Sequence, residues 1–332
     1  MYIPPPVLIG VFLILSISPA ILPWIRRGMF TWYAAISISV AFIVQLIVDI
    51  KTLGGGGFFL PSSGTFTEAV EVLGYQVVAV MERMELWRCF TSLFVHLNTF
   101  HVLNNLIFFI IFAYALESRI GRKVTIASFY LGGLIGELLV TLAALYGVWG
   151  ESPFTYGVGA SGAIFGIAGA LLILYPREKI FFPIIIFRKF RIVHIVGLYF
   201  LMDFLAIVVG ARDNIGHVAH VGGMLGGVLL GYLIQRTGYE GEETLKPTAM
   251  SVDVGEDVKR LATDDRGLEI ISLIESSQER EVIMIWLEKL GGHLRCPKCG
   301  RVGLRFQKTH FRCPECGGRV KLKRVEREVS HP

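Results

Sequence analysis

The sequence predicts an all-α polytopic membrane protein that carries a small cytosolic tail. Hydrophobic residues make up 53% of the 332 residues, and the mean hydropathy is +0.58. A soluble globular protein of this length rarely reaches such values. Apolar runs of about twenty residues recur along the first two thirds of the chain, and each is long enough to cross a bilayer. Most of the chain is therefore expected to lie in a membrane.

The first apolar run, at 7–25, is followed by Arg26 and Arg27 and has no positive charge before it. This charge order is the reverse of a secretory signal, so we expect a retained N-terminal hydrophobic helix within 1–29. A compact set of six helices is expected over 30–236. The six spans are predicted at about 30–50, 92–116, 124–147, 159–175, 191–210 and 214–235.

The charged residues between the spans predict the orientation of the helices. Basic residues fall in alternate short loops, as the positive-inside rule requires. This pattern puts the N-terminus outside the cell membrane and the tail in the cytosol. A formal charge of +5 could suggest nucleic acid, but the basic residues are scattered, so nucleic-acid binding is not expected.

The loop at 51–90 is too polar to span, and its apolar residues favour an ordered loop at the interface.

A single hydroxyl group, that of Ser161, lies among glycines at the start of an apolar run, in the stretch 157–166. With the predicted topology, Ser161, His220, His101 and Asn105 all lie near the outer ends of their helices and hence at a similar depth. His101 and Asn105 are four residues apart and point to one face. A lone membrane serine is usually a packing residue, but this set favours catalysis.

These four residues can be given chemical roles. A histidine near neutral pKa is a suitable base for a serine hydroxyl, so His220 would activate Ser161. The side chains of His101 and Asn105 can donate to an oxyanion, as can the Ser161 backbone N–H at the start of its helix. Small residues allow close helix packing in lipid. The sequence has two such stripes, Gly162 with Gly166, and Gly223 with Gly227 and Gly231.

Five motifs in this order resemble those of the rhomboid intramembrane serine proteases. The resemblance covers about 30–235. The motifs are Trp87-Arg88, His101-x-x-x-Asn105, Glu117-x-Arg119-x-Gly121, Gly159-x-Ser161-Gly162 and Ala219-His220-x-x-Gly223-x-x-x-Gly227.

The resemblance implies a Ser-His dyad that works through an acyl-enzyme without a catalytic cofactor. Ser161 would be the nucleophile and His220 the general base, with His101, Asn105 and the Ser161 amide at the oxyanion. Phe165 resembles an aromatic platform beneath the catalytic histidine. The loop 51–90 would be the first-loop domain. Substrates would be single-pass membrane proteins, and water would reach the site from the extracytoplasmic side.

Some polar residues have no role in this scheme. Glu137 and Asp203 are intramembrane acids, which ordinarily mark function. No role follows for Glu137, whereas Asp203 suits helix packing or a buried hydrogen bond. His96 and His217 lie near the level of the site and are interpreted as local structure.

The tail predicts a linker at 237–257, a soluble helical segment at 258–291 and a zinc ribbon at 292–325. Two Cys-x-x-Cys pairs, separated by 13 residues, would hold one structural Zn²⁺ with a closed tetrahedral shell. The four ligands would be Cys296, Cys299, Cys313 and Cys316. Aromatic and basic residues between the pairs permit a cytosolic protein partner, although a solvated surface explains them equally well.

Two other functions remain open from the sequence. A catalytically silent rhomboid-like protein could retain substrates and use the ribbon as an adaptor, although Ser161 and His220 argue against it. A proton-coupled transporter could use Glu137, Asp203 and the histidines, but no inverted repeat is evident.

Overall fold

The structure is a computed structural model that describes residues 5–26, 28–49, 67–182, 188–211, 216–239, 241, 250–277, 280–307 and 309–327. The chain forms two compact units, Met1–Leu245 and Lys246–Pro332. Among its described residues, the first unit contains helices, the loops that join them and one short hairpin. The second combines short helices with short strands.

The first unit contains, in chain order, α1 (Pro5–Arg26), α2 (Phe30–Asp49), α3 (Glu68–Leu73), α4 (Val77–Arg83), α5 (Arg88–Thr91), a 3₁₀ turn (Ser92–Phe94), α6 (Thr99–Ile120), α7 (Arg122–Tyr146), α8 (Ser161–Leu174), the antiparallel hairpin β1 (Lys179–Phe182) and β2 (Arg188–Arg191), α9 (Ile192–Val209) and α10 (His217–Thr237). Within the described part of the chain, six helices are long and apolar enough to span a membrane, namely α1, α2, α6, α7, α9 and α10. The prediction of an all-α polytopic fold is confirmed.

The helix α8 is shorter than its predicted span of 159–175. It has 14 residues, which corresponds to about 21 Å, against about 30 Å for the hydrocarbon core. Its first residue is Ser161, because the preceding loop is held by strand-like pairing to other segments. A helix of this length does not span the hydrocarbon core by itself.

The helix α6 also begins later than the predicted span of 92–116. The side chain of Asn98 accepts a hydrogen bond from the backbone N–H of His101, at 2.9 Å, and so caps the helix that starts at Thr99. Asparagine is a favoured residue at this position. Residues 92–98 instead form a 3₁₀ turn and extended backbone. The cap places His101 in the first turn of α6 and Asn105 one turn further on.

Glycines bring α7, α8 and α10 into backbone contact. A Cβ on Gly132 would lie 2.6 Å from the Cα of Gly166, and one on Gly136 would lie 2.7 Å from the Ala219 carbonyl oxygen. A Cβ on Gly227 would overlap the carbonyl oxygen of Gly166. Close approach of this kind is how helices associate where lipid supplies no hydrophobic driving force. These three helices form the centre of the unit.

Glu117 fixes the start of α2. Its buried carboxylate accepts from the backbone N–H groups of Phe30 at 2.6 Å and Thr31 at 2.8 Å, and from the Thr31 hydroxyl at 2.6 Å. The first N–H groups of a helix have no partner within it. A buried carboxylate in the Glu117-x-Arg119-x-Gly121 motif therefore supplies the acceptors that lipid lacks.

The loop region predicted at 51–90 is described from residue 67 onward, and 51–66 lie outside the described residues. Its described part contains α3, α4 and α5. The buried Arg88 guanidinium donates to the carbonyl oxygens of Gly74 at 2.6 Å and Glu71 at 2.8 Å, and it pairs with Glu85 at 2.5 Å. One arginine thus holds three turns of the loop together.

The second unit contains β3 (Met250–Asp253), α11 (Glu256–Lys259), α12 (Asp265–Ser276), α13 (Arg280–Gly291), β4 (Arg305–Gln307), β5 (His310–Arg312), β6 (Arg319–Lys321) and β7 (Arg324–Arg327). Strands β4, β5 and β6 form one antiparallel sheet, and β3 pairs with β7. The strand β3 lies within the stretch 237–257 that the sequence suggests as a linker. Apolar residues of α12, α13 and the strands share one core, including Ile270, Leu287 and Phe311.

Candidate active site

The loop before α8 is fixed by backbone hydrogen bonds. Tyr75 and Gly157 exchange two N–H to carbonyl bonds, both of 2.8 Å. The N–H of Gly159 donates to the Ser92 carbonyl oxygen at 2.9 Å. The helix α8 then begins at Ser161 with no side-chain cap on its first N–H groups. Those N–H groups remain available to an anion, because the first turn of a helix offers them no partner.

Gly159 packs closely against α6 just before this helix. Its φ of +112° lies in the region that favours glycine. A Cβ there would lie 2.7 Å from Nε2 of His101 and 3.3 Å from Nδ2 of Asn105. Only a glycine lets the backbone two residues before Ser161 approach these two nitrogen atoms so closely.

Both nitrogens can act as hydrogen-bond donors. The Leu97 N–H donates to Nδ1 of His101 at 3.4 Å, which leaves the proton of a neutral imidazole on Nε2. Asn105 is 3% exposed, and within the described part of the chain its Nδ2 has no hydrogen-bond partner. A buried donor without an acceptor is costly unless a ligand satisfies it.

His220 lies in the first turn of α10 and is 8% exposed. Its ring stacks on Phe165, with ring centroids 4.5 Å apart and planes 11° apart. Next to it, a Cβ on Gly162 would lie 3.3 Å from the Ala219 carbonyl oxygen, and one on Gly223 would overlap the Gly162 carbonyl oxygen. The helices of Ser161 and His220 therefore touch at the residues beside both side chains.

Among the residues that the structure describes, no hydrogen bond joins the Ser161 hydroxyl to His220. Hydrogen bonds between catalytic groups are often long before substrate binds and shorten in the complex. The His220 ring is hydrogen-bonded instead to an acidic residue for which the sequence predicts no catalytic role.

That acid is Asp203 of α9, which is 6% exposed. Its Oδ1 lies 3.0 Å from Nδ1 of His220 and 2.5 Å from Nδ1 of His217. The three ligand atoms lie within 4.8 Å of one another. Two ligands of a tetrahedral zinc ion, at about 2.0 to 2.1 Å each, would lie about 3.3 Å apart, so the 2.5 Å contact is a hydrogen bond.

The sequence contained one signal for this cluster. Asp203 lies six residues before the end of α9, and His217 and His220 lie at the start of α10, so the three residues share one depth. Depth alone does not give the rotation of α9 about its axis. The sequence therefore suggests a buried hydrogen bond for Asp203 but does not identify the residues that form it.

Two other unassigned residues lie behind the site. The ring of His96 meets the His101 ring edge to face, with centroids 5.1 Å apart, and the His96 backbone pairs with the Gln45 side chain at 2.7 and 3.0 Å. Glu137 of α7 accepts from the Ser92 hydroxyl at 2.6 Å. Since Ser92 also holds Gly159, Glu137 supports the active-site loop from behind.

The four tail cysteines form a separate cluster in the second unit. Their Sγ atoms lie within 4.8 Å of one another, with separations of 3.5 Å for Cys296 and Cys316 and 3.7 Å for Cys299 and Cys313. Tetrahedral Zn–S bonds of about 2.3 Å would put sulfurs about 3.8 Å apart. Backbone N–H groups, first that of Cys299, lower the pKa of Cys296 to about 6. The donor set thus fits a zinc ion.

Comparison with known proteins decides the family. A model of the rhomboid domain matches residues 83–237. The putative rhomboid protease YdcA of Bacillus subtilis (strain 168) is 30% identical over 194 residues, which cover 58% of this chain and 87% of the relative. The chain belongs to the rhomboid family. This membership and the six apolar helices make it a multi-pass membrane protein.

Other relatives of the rhomboid chain are matched over smaller shares. RHOMBOID-like protein 1 of Arabidopsis thaliana is 31% identical over 174 residues, or 52% of this chain and 41% of the relative. Rhomboid protease AarA of Providencia stuartii is 28% identical over 156 residues, or 43% of this chain and 54% of the relative. The chain therefore spans about half the length of these two relatives. Protease-named relatives support proteolysis at the level of the family.

Proposed function

We propose that this rhomboid protein is an intramembrane serine endopeptidase in which Ser161 is the nucleophile and His220 the general base. One observation carries the proposal. The serine at the start of α8 lies two residues after Gly159, whose backbone packs against the His101 ring and the Asn105 amide, and the buried Nδ2 of Asn105 has no hydrogen-bond partner among the described residues. A residue that only packs against its neighbours has no need of a buried donor without an acceptor.

The first chemical step needs a proton acceptor close to Ser161. Contact between α8 and α10 at Gly162, Ala219 and Gly223 supports the approach of the two side chains, and the stack on Phe165 limits rotation of the His220 ring. Nε2 of His220 accepts the hydroxyl proton while Oγ attacks the substrate carbonyl carbon. The same proton then passes to the leaving amine.

The carbonyl oxygen becomes an anion during this attack. Nδ2 of Asn105, Nε2–H of His101 and the Ser161 backbone N–H are the donors proposed to bind it. Each donor is fixed before substrate arrives, by the Asn98 cap, the Leu97 hydrogen bond or the helix start, so little reorganisation is needed. Water entering from the extracytoplasmic side hydrolyses the acyl-enzyme, with His220 acting as base again.

The proposed substrates are single-pass transmembrane proteins cut at a helix-destabilised segment with a small side chain. A helix has its scissile carbonyls in hydrogen bonds, so the segment must unwind before Ser161 can attack. The short α8 supports a site below the membrane surface rather than in bulk water. This class of substrate is the one implied by the family resemblance.

Purified full-length protein tests the proposal. Wild type is offered a single-pass reporter with a Gly-Ala-rich transmembrane segment, alongside a fluorophosphonate probe. Cleavage and labelling should be present in wild type and lost, by more than about 10³-fold in kcat, in Ser161→Ala. Ser39→Ala is the matched control, because Ser39 is also half-buried and donates only to the Ala35 carbonyl oxygen. Equal cleavage in wild type and Ser161→Ala would reject the protease and leave the silent binding protein.

For the tail, we propose one structural Zn²⁺ held by Cys296, Cys299, Cys313 and Cys316. The sulfur separations and the backbone donors to Cys296 and Cys316, at 3.4 Å from Lys298 and Gly318, support it. The ion would cross-link two turns of a unit with a small core and would leave no open position for catalysis. A cytosolic protein partner for this ribbon is part of the same proposal.

A further inference from the structure

The carboxylate of Asp203 forms a hydrogen bond with the His220 ring. Its Oδ1 lies 3.0 Å from Nδ1 of His220. Nδ1 and Nε2 are on opposite sides of an imidazole ring, and a neutral ring carries one proton. An acceptor at Nδ1 keeps the proton there and leaves the lone pair on Nε2, the atom that must receive the Ser161 proton.

We propose that Asp203 is a positioning residue that fixes the tautomer and orientation of His220 and stabilises the imidazolium that forms during catalysis. This rests on the proposed function, and it extends the Ser-His pair to a serine, histidine and aspartate arrangement spread over α8, α10 and α9. Asp203 does not contact the reacting atoms. It acts through His220, as the aspartate of a serine protease triad does.

Burial supports a specific task for this side chain. In α9 four residues are buried, three of them apolar residues near its start, and Asp203 is the fourth. An acid in a membrane-spanning helix is unfavourable unless it is paired or functional. Asp203 faces two histidines of α10 and no lysine or arginine among its recorded partners. Its charge is therefore compensated when a proton arrives on an imidazole.

The ring of His220 is constrained on two sides. Phe165 stacks against one face at 4.5 Å, and Asp203 holds the Nδ1 edge at 3.0 Å. The stack restricts tilting of the ring, while the hydrogen bond restricts its rotation about the Cβ–Cγ bond. Together they leave Nε2 as the free edge, which is what a general base in the resting enzyme requires.

The alternative is that Asp203 only anchors α9 to α10. His217 donates to the same Oδ1 at 2.5 Å, and its contact alone would join the two helices. The groups that face His220 are Asp203 from α9, His217 on its own helix and His101, which is within electrostatic range on α6. From α7, the neutral Gly136 packs against Ala219 and Gly222 beside His220, and Glu137 is engaged with Ser92.

The variant Asp203→Asn separates positioning from anchoring. The amide oxygen can still accept from both histidines, so the helix contact is kept while the charge is removed. We expect kcat for the Gly-Ala-rich reporter to fall by about 10⁴-fold, as the same change does in a serine protease triad, with KM changed less than threefold.

Three further variants complete the test. Asp203→Glu keeps the charge and should retain more activity than Asp203→Asn. His217→Ala removes the anchoring contact and should lose much less activity than Asp203→Asn. Glu82→Gln makes the same chemical change on an exposed residue of α4 and should behave as wild type. Thermal unfolding of each variant in detergent shows whether it is folded, and a chelator should leave wild-type cleavage unchanged.

Two results would overturn the inference. Asp203→Asn could cleave as wild type, or His217→Ala or Asp203→Glu could reproduce the loss seen in Asp203→Asn, which would make Asp203 an anchor. Ser161→Ala is run in parallel. Cleavage that does not depend on Ser161 rejects the protease and this role with it, whereas Ser161-dependent cleavage with a normal Asp203→Asn rejects this role alone.

Discussion

At the scale of single residues, the site is defined by polar atoms that the fold leaves without partners. Membrane interiors strongly penalise such atoms, yet Nδ2 of Asn105 is buried with no recorded acceptor among the described residues. Next to it, the backbone of Gly159 packs closely against His101 and Asn105. The buried donor without an acceptor, close to the backbone that precedes Ser161, is the reason we propose a binding position for an oxygen atom here.

Asn105→Ala is expected to lower kcat by about 10² to 10³-fold with little change in KM, because one oxyanion donor typically contributes that much. Folding should be unaffected, since the amide makes no recorded hydrogen bond that would be lost. Steady-state cleavage of the reporter, with thermal unfolding in detergent, measures both quantities.

Asn104→Ala is the matched control, as it removes the same group from an exposed position of the same helix. It should cleave at the wild-type rate. Equal rates for both variants would remove Asn105 from the oxyanion site, and a large loss of stability in Asn105→Ala would give it a structural role instead.

The sequence predicts one depth for Ser161, His101, Asn105 and His220, because distance along a helix converts directly to depth. It does not predict the contact of Asp203 with His220, because that contact depends on how α9 is rotated about its axis. No periodic pattern in the sequence fixes that rotation.

At the scale of the elements, backbone contact between α8 and α10 sets the spacing of the proposed catalytic pair. The sequence predicted this contact from the glycine stripes, whose spacing of four puts small residues on one face. It did not predict where α6 begins, because residues 92–98 are as apolar as a helix. The start is set instead by a local hydrogen bond, that of the Asn98 side chain.

Gly227→Ala tests the contact directly. The new Cβ would overlap the Gly166 carbonyl oxygen, so α8 and α10 must separate, and overpacking of this kind costs about 1 to 3 kcal/mol. The melting temperature in detergent should fall and cleavage should fall with it. Gly197→Ala is the control, because its Cβ would meet nothing within 4 Å and alanine favours a helix.

A lower melting temperature in Gly197→Ala than in Gly227→Ala would contradict the packing explanation, because the Cβ added at Gly197 would contact no neighbouring helix. Loss of cleavage in Gly227→Ala without loss of stability would show that the spacing of the pair, rather than the strength of the contact, is affected.

At the scale of the whole molecule, the proposed catalytic site and the proposed zinc site lie in different units. All the proposed catalytic residues lie in Met1–Leu245, whereas the four clustered cysteines lie in Lys246–Pro332. A structural zinc site contributes folding free energy to the unit that holds it. Zinc is therefore expected to matter for the fold of the tail and not for proteolysis.

Metal analysis of the full chain, together with limited proteolysis, tests this division. Wild type should contain about one zinc per chain, and Cys296→Ser should lose it, because the remaining three thiolates no longer complete a closed tetrahedral shell. Residues 246–332 should then become sensitive to protease. Cleavage of the reporter should stay within about twofold of wild type, since no step of the proposed mechanism involves the tail.

Cys89→Ser is the matched control for that experiment, because Cys89 is the fifth cysteine of the chain and lies in the first unit. It should retain zinc and a protease-resistant tail. Zinc that persists in Cys296→Ser, or is lost in Cys89→Ser, would contradict the assignment of the four ligands. A tail that stays resistant after zinc is lost would show that the apolar core of α12, α13 and the strands is sufficient, and that the metal serves recognition of a partner instead of folding.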